Sequence, residues 1–147
     1  LHSLRRRQRQ MCIRDRTVKY KLKNRVGFFG RYSDVPALMM VSNVILSTAI
    51  EPEAFGRISV EGQAMGKIVV ASNIGGSLDT IKDGVTGKLY QYDNPQALAD
   101  ALDWALSLSD AEKAAIGKAG IKNVKENFTK EIMCDKTIKV YKELVNS

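Results

Sequence analysis

Residues Val44–Ala71 read VILSTAIEPEAFGRISVEGQAMGKIVVA. The two ends of this stretch, Val44–Leu46 (VIL) and Lys67–Ala71 (KIVVA), are short and continuously apolar. Runs of that kind suit strands of a parallel sheet, because helices cover both of its faces. Between them Ile58, Val60, Ala64 and Met65 recur at loosely helical spacing, which predicts a helix from about Gly56 to Met65. Gly66 fits the C-terminal cap of that helix. Strand, helix and strand make a βαβ unit with a right-handed crossover. In such sheets ligands bind beyond the carboxyl ends of the strands, in the loops that lead into helices. The loop after Val44–Leu46 is therefore where a site is to be sought.

The flanking sequence continues the alternation. Upstream, Val26–Phe29 (VGFF) reads as a buried strand ended by Gly30, and Ser33 is a cap for a short helix through Met40 with Pro36 in its first turn. Downstream, Gly75-Gly76 opens a short helix through Lys82, Asp83-Gly84 and Thr86-Gly87 mark turns, and Lys88–Tyr90 is a short strand. Asn94-Pro95 supplies an N-cap and a first-turn proline for a helix whose stripe is Leu98, Ala101, Leu102, Ala105 and Leu106. Ser109-x-x-Glu112 matches a capping box. Thr129 starts a last helix with the stripe Cys134, Ile138, Tyr141 and Val145. The expected class is α/β, a Rossmann-like parallel sheet with flanking helices.

Composition bounds the function. The 147 residues are 44% hydrophobic and 27% charged, close to the globular average. The net charge of +7 suggests nucleic acid or a membrane surface, but its distribution argues otherwise. Leu1–Arg16 holds six Arg against one Asp, Thr17–Arg25 adds three Lys and one Arg with no acid, and the chain from Val26 onward is net acidic. Cys12 and Cys134 have no CxxC spacing, and His2 is the single histidine, so a zinc site, a disulfide framework and a His-based triad are not expected. No apolar run reaches the ~18–20 residues of a membrane span. The basic N-terminus also lacks the apolar core of a signal peptide.

The basic head has three readings. Arg5, Arg6, Arg7 and Arg9 could face phosphates of a nucleic acid, although no aromatic residue interleaves them for stacking. A solvated, disordered tail is the second. As the third, SLRRRQRQMCIRDR resembles a string that recurs at the ends of proteins translated from short-read assemblies, where adapter sequence has been read through. Residues 1–16 are accordingly expected to be an artefactual or disordered basic segment outside the fold, and residues 17–25 the stub of an upstream element. The domain is expected over residues 26–147.

The loop after Val44–Leu46 carries Glu51, Glu53 and, on the following helix, Glu61. A helix start near Gly56 offers free N–H groups to an anion, phosphates above all, and Gly56 permits close approach to the backbone. Carboxylates beside an anion site fit a ligand that also carries hydroxyls for them to accept from, and a sugar nucleotide has both features. The plainer alternatives stand beside this. Glu53 could be a first-turn acid facing the helix dipole, Glu61 a solvated helix residue, and Phe55 a core anchor.

Glu53-Ala-Phe-Gly-Arg-Ile-Ser-Val-Glu61 resembles the E-x7-E motif of glycosyltransferase family 4, the retaining enzymes of the GT-B fold. The spacing selects Glu53, since Glu51 stands ten residues from Glu61. The flanks are similar in order: Val26–Gly30 to the family's strand ending in F-x-G, Gly62–Gly66 to its small-residue run, Lys67–Ser72 to its next strand, and Gly75-Gly76 with Asp83-Gly84 and Thr86-Gly87 to its GG…DG-x-TG pattern. Ala54, Arg57 and Asp79 depart from the residues frequent at those places.

The resemblance implies the donor-binding C-terminal half of a GT-B enzyme that transfers a hexose-type sugar from a nucleotide-diphosphate sugar. It implies that Glu53 contacts the donor sugar as the catalytic carboxylate, that the backbone at Phe55 and Gly56 meets sugar and phosphate, and that Glu61 binds the ribose. Gly30 and Arg31 sit where the family's base-side loop runs, Arg57 is a candidate for the diphosphate, and Gly75-Gly76 shapes the neighbouring turn. It also implies metal-independent chemistry, with no metal ligand and no cofactor beyond the donor, and a cytoplasmic location. The N-terminal acceptor domain precedes the residues present, so the chain alone is expected not to turn over. Many relatives build envelope glycolipids, so the resemblance allows peripheral membrane association of the parent. Nucleic acid is not an expected partner. The alternative functions are a basic-tailed nucleic-acid binder and a non-catalytic interaction domain. A dinucleotide dehydrogenase is disfavoured, since no G-x-G-x-x-G follows a strand.

Overall fold

The computed structural model describes residues 2–22, 24–30 and 32–145. The chain divides into two compact units, one ending at Ser33 and the other beginning at Asp34.

The second unit is built on a three-stranded parallel sheet, β1 (Val44–Ser47), β2 (Ile68–Ser72) and β3 (Lys88–Tyr90), in that spatial order. Val44 pairs with Ile68 and Val70 with Lys88, so β2 is the central strand. All five of its residues are buried, as its unbroken apolar run requires of a strand covered on both faces. Alternation along β2 divides the core. Ile68 and Val70 pack with Tyr90, with Ala101 and Ala105 of α5 (Pro95–Ser107) and with Ile116 of α6 (Asp110–Asn127). Val69 and Ala71 face the other way, toward Ile45, Ile81 and Met39 of α2 (Val35–Val41). Full burial of valines such as Val69 and Val70 stabilises by about 1.5–3 kcal/mol each.

Helix α3 (Arg57–Ala64) crosses between β1 and β2, and small residues set how closely it lies. A Cβ on Gly62 would stand 2.9 Å from Cγ2 of Val69, so the helix backbone rests on the sheet there. A Cβ on Gly117 would meet the carbonyl of Gly66 at 2.5 Å, which brings α6 against the end of α3. The α3 end is a Schellman-type cap: the N–H of Gly66 donates to the Gln63 carbonyl and that of Lys67 to the Gly62 carbonyl. The short helix α4 (Ser77–Thr80) follows β2.

The caps expected at Asn94 and Ser109 are present. Asn94 accepts from the N–H of Ala97, and Ser109 and Glu112 form the reciprocal capping box that opens α6. The Asp83–Gly87 turn is pinned by Asp83, whose carboxylate accepts from the N–H of Leu89 and pairs with Lys88.

Five expectations are corrected. Residues 2–19 form a helix, α1 (His2–Lys19), where a segment without helical periodicity was expected. Arg, Gln, Leu and Met are strong helix formers, and intrinsic preference needs no apolar stripe. Val26–Phe29 is not a strand, and Val26, Phe28 and Phe29 are exposed. The N–H of Val26 is already held by the Leu22 carbonyl in the turn after α1, and a strand exists only through a ladder partner. Asp34 rather than Ser33 caps α2, accepting from the N–H of Ala37. Leu106 is 61% exposed, and Trp104 and Leu108 pack on the core from α5 and the residue after it. The last helix, α7 (Lys130–Val145), buries none of its residues, and Ile138, Tyr141 and Val145 of its expected stripe are exposed.

Candidate functional site

The carboxyl ends of β1 and β2 open into two adjacent loops, one leading to α3 and the other to α4. The two loops are joined directly. The N–H of Gly76 donates to the carbonyl of Glu53 at 2.7 Å. A Cβ on Gly75 would fall 2.5 Å from that same carbonyl oxygen, and one on Gly76 2.5 Å from the carbonyl carbon of Phe55. The glycine pair is thus the seat on which the Glu53–Phe55 backbone rests, and this close approach excludes any side chain.

Gly56 is the N-cap of α3 and adopts φ 74°, ψ 56°, a left-handed conformation that glycine enters without penalty. No side chain caps this helix end. The N–H of Ser59 turns back to the Gly56 carbonyl at 3.0 Å, and aligned peptide dipoles make this end of the helix electropositive. Ser77, buried at the start of α4, lies beside it: a Cβ on Gly56 would be 3.7 Å from both its backbone N and its Oγ.

Two of the expected site residues flank this end from opposite sides in the chain. Glu53 precedes it with an exposed side chain, and Glu61 follows on the second turn. Glu61 is partnered: its Oε1 accepts from Nη2 of Arg57 at 2.9 Å, with the Arg57 side chain 83% exposed. Arg57 therefore turns along the helix to Glu61, a cation on the first turn neutralised by a carboxylate one turn on.

Phe55 is half-exposed, and its ring packs edge-on against Phe128 at 5.8 Å between centroids. Its side chain anchors the loop to the end of α6, which leaves its backbone as the part available to a ligand. Gly30 is exposed in the first unit with φ 68°. Arg31 lies outside the described residues.

Sequence reading missed Gln63 and Asn123. Both are buried, and their side-chain amides meet at 3.0 Å. An amide among the small and apolar residues of a short helix was the available signal, but its partner lies sixty residues away. Tyr90 is a buried ionisable group whose hydroxyl burial pushes above its ordinary range, and it belongs to the core. Among the described residues no helix is long and apolar enough to cross a membrane.

Known proteins resemble the chain in sequence and fold. The family model for glycosyl transferases group 1 matches residues 7–123. Spore coat protein SA of Bacillus subtilis is 27% identical over 78% of this chain, and a D-inositol 3-phosphate glycosyltransferase of Mycobacterium leprae is 44% identical over 47% of it. A glycosyltransferase structure from Rickettsia africae superposes with a TM-score of 0.91 at 37% identity, over 96% of this chain and 38% of its own. The Anabaena protein Alr3699/HepE, solved in complex with UDP and glucose, superposes with a TM-score of 0.87 at 26% identity, over 93% of this chain and 37% of its own. The chain spans 30% and 16% of the two curated relatives just named. With a matched family model over most of its length and this parallel α/β architecture, the chain belongs to the glycosyl transferases group 1 and has the fold of GT-B glycosyltransferases.

Proposed function

We propose that the chain is the donor-binding C-terminal domain of a retaining, family 4 glycosyltransferase. Its parent would move a hexose-type sugar from a nucleotide-diphosphate sugar to an acceptor held by a separate N-terminal domain. One observation carries the reading: an uncapped α3 N-terminus at Gly56 flanked by the carboxylates of Glu53 and Glu61. Free amides suit a diphosphate, and carboxylates suit the hydroxyls on either side of it. The Anabaena protein holding UDP and glucose on this fold supports the same assignment.

In this reading Glu53 accepts from donor-sugar hydroxyls, the amides after Gly56 hold the diphosphate, and Glu61 accepts from the ribose. Ribose binding would release Arg57 from Glu61 and free its guanidinium for the diphosphate. Charge on the leaving diphosphate is then taken up by amides and basic side chains rather than by a metal. Gly30 and Arg31 are assigned to the base side. The parent works in the cytoplasm, where its donor is supplied, and the chain alone binds donor without turning over.

The test is calorimetric titration of the chain with UDP-, GDP- and ADP-sugars. Binding of one of them, weakened at least tenfold in Glu61→Ala, is expected. Equal binding by Glu61→Ala would remove the ribose assignment. Sugar transfer by the chain itself, lost in Glu53→Ala, would overturn the assignment of turnover to the parent alone.

A further inference from the structure

Away from the Glu53–Glu61 loop, three helices meet at a single backbone carbonyl. Thr80 ends α4, so its carbonyl has no acceptor role left inside that helix. It accepts instead from Nε2 of Gln63 at 2.9 Å and from Nδ2 of Asn123 at 3.1 Å. The same Asn123 Nδ2 donates to Oε1 of Gln63 at 3.0 Å, and Gln63 Nε2 donates also to the Ser59 carbonyl at 3.2 Å. Asn127 extends the cluster, its Nδ2 donating to Oδ1 of Asn123 at 3.2 Å. Gln63 is fully buried and Asn123 is 5% exposed.

These bonds continue toward the loop. The Thr80 hydroxyl donates to the Gly76 carbonyl at 2.9 Å, and the Gly76 N–H donates to the Glu53 carbonyl at 2.7 Å. A continuous path of hydrogen bonds therefore runs from Asn123 and Gln63 through Thr80 and Gly76 to the backbone of Glu53. Gln63 sits on the same helix as Glu61, two residues on. The cluster fixes the end of α4 to α3, and so fixes the loop that carries one carboxylate to the helix that carries the other.

Apolar packing would join these helices with comparable stability, since a buried hydrogen bond returns little net free energy. What apolar packing lacks is direction. A bond to one carbonyl admits one register between α3 and α4, and every member of the cluster is penalised if that register slips.

We propose that Gln63, held by Asn123, is a positioning residue that sets the Glu53 backbone against α3. What this serves, a preorganised donor site, rests on the function proposed above. The hydrogen-bonded lock itself does not.

Amide hydrogen exchange followed by NMR on the full chain tests it without a ligand. In Gln63→Leu the Gly76 amide is expected to exchange at least tenfold faster relative to the amides of Val69 and Val70, with the fold retained. Asn123→Ala, a smaller change on another helix, is expected to act in the same direction and decides the matter if Gln63→Leu does not fold. The exchanged pair Gln63→Asn with Asn123→Gln, which restores the combined side-chain reach, is expected to return the ratio to within threefold of the parent chain. An unchanged ratio, or one in which Gly76, Val69 and Val70 all speed up equally, overturns the proposal. Titration with UDP-, GDP- and ADP-sugars then reads the donor site separately. Binding of one of them by the unsubstituted chain, weakened about tenfold in Gln63→Leu, is expected, and binding equal in both overturns the positioning role. If the unsubstituted chain binds none of the three, the donor reading fails, while the exchange ratio still decides the lock.

Discussion

The carbonyl of Glu53 accepts from the N–H of Gly76 at 2.7 Å, so the loops that leave two neighbouring parallel strands share one hydrogen bond. Glu53 belongs to the E-x7-E stretch and Gly76 to the glycine pair that follows β2. The two motifs are one structural unit, and a change in either should be felt by the other.

Gly76→Ala puts a Cβ 2.5 Å from the carbonyl carbon of Phe55, an atom of the backbone that no rotamer change can move aside. Overpacking of this kind typically costs about 1–3 kcal/mol. Urea denaturation should show the midpoint falling by that equivalent at unchanged slope. A midpoint equal to that of the parent chain would mean the loops are not seated on each other.

Gly62 and Val69 should couple. Gly62→Ala drives a methyl to within 2.9 Å of Cγ2 of Val69, which is 0% exposed and has no room to retreat. Val69→Ala alone leaves a cavity, at a cost of roughly 2 kcal/mol. Together they should cost less than the separate losses added, because the truncated side chain admits the new methyl. A double-mutant cycle on unfolding free energies measures the difference, and strict additivity would contradict the close approach of α3 to the sheet.

Arg57→Ala should leave stability within about 0.5 kcal/mol of the parent chain, since the Arg57–Glu61 pair is an exposed i,i+4 contact with the cation on the N-terminal side. Its effect is expected in nucleotide-sugar titration instead, where Glu61 no longer has to be released and a cation is lost. A change in melting temperature with no change in affinity would reverse the roles assigned to the pair.

Acid stability should carry a contribution from Glu112. The Ser109 hydroxyl and backbone N–H both donate to its carboxylate and hold it below its usual range. A group whose pKa is depressed on folding stabilises above its unfolded value, and the contribution disappears as pH falls through the folded one. Glu112→Gln should therefore lose less stability than the parent chain on acidification from about pH 5 to pH 3. Melting curves across that range measure it, and parallel curves would show that the capping box does not form in solution.

Much of the second unit was legible from local pattern. Val44–Leu46, KIVVA and Lys88–Tyr90 are strands because buried parallel strands need continuous apolar runs, and Asn94, Ser109 and Gly66 act as caps because capping chemistry is local. The same local reading failed at Val26–Phe29 and along α7. Pairing and burial depend on the tertiary surroundings, which no short window contains: Val26–Phe29 joins no strand among the described residues, and α7 buries none of its side chains.

For the site, the spacing of Glu53 and Glu61 and the glycine at the start of α3 were determined by the sequence alone, because nine residues of one chain suffice to state them. The tertiary structure decided that Arg57 turns to Glu61, that Phe55 is held by Phe128, and that Gly75-Gly76 seats the Glu53 loop. It also decided that Gln63 meets Asn123 across sixty residues. These contacts are set by how helices lie against a sheet, and a directional bond between distant residues exists only once that packing has chosen its register.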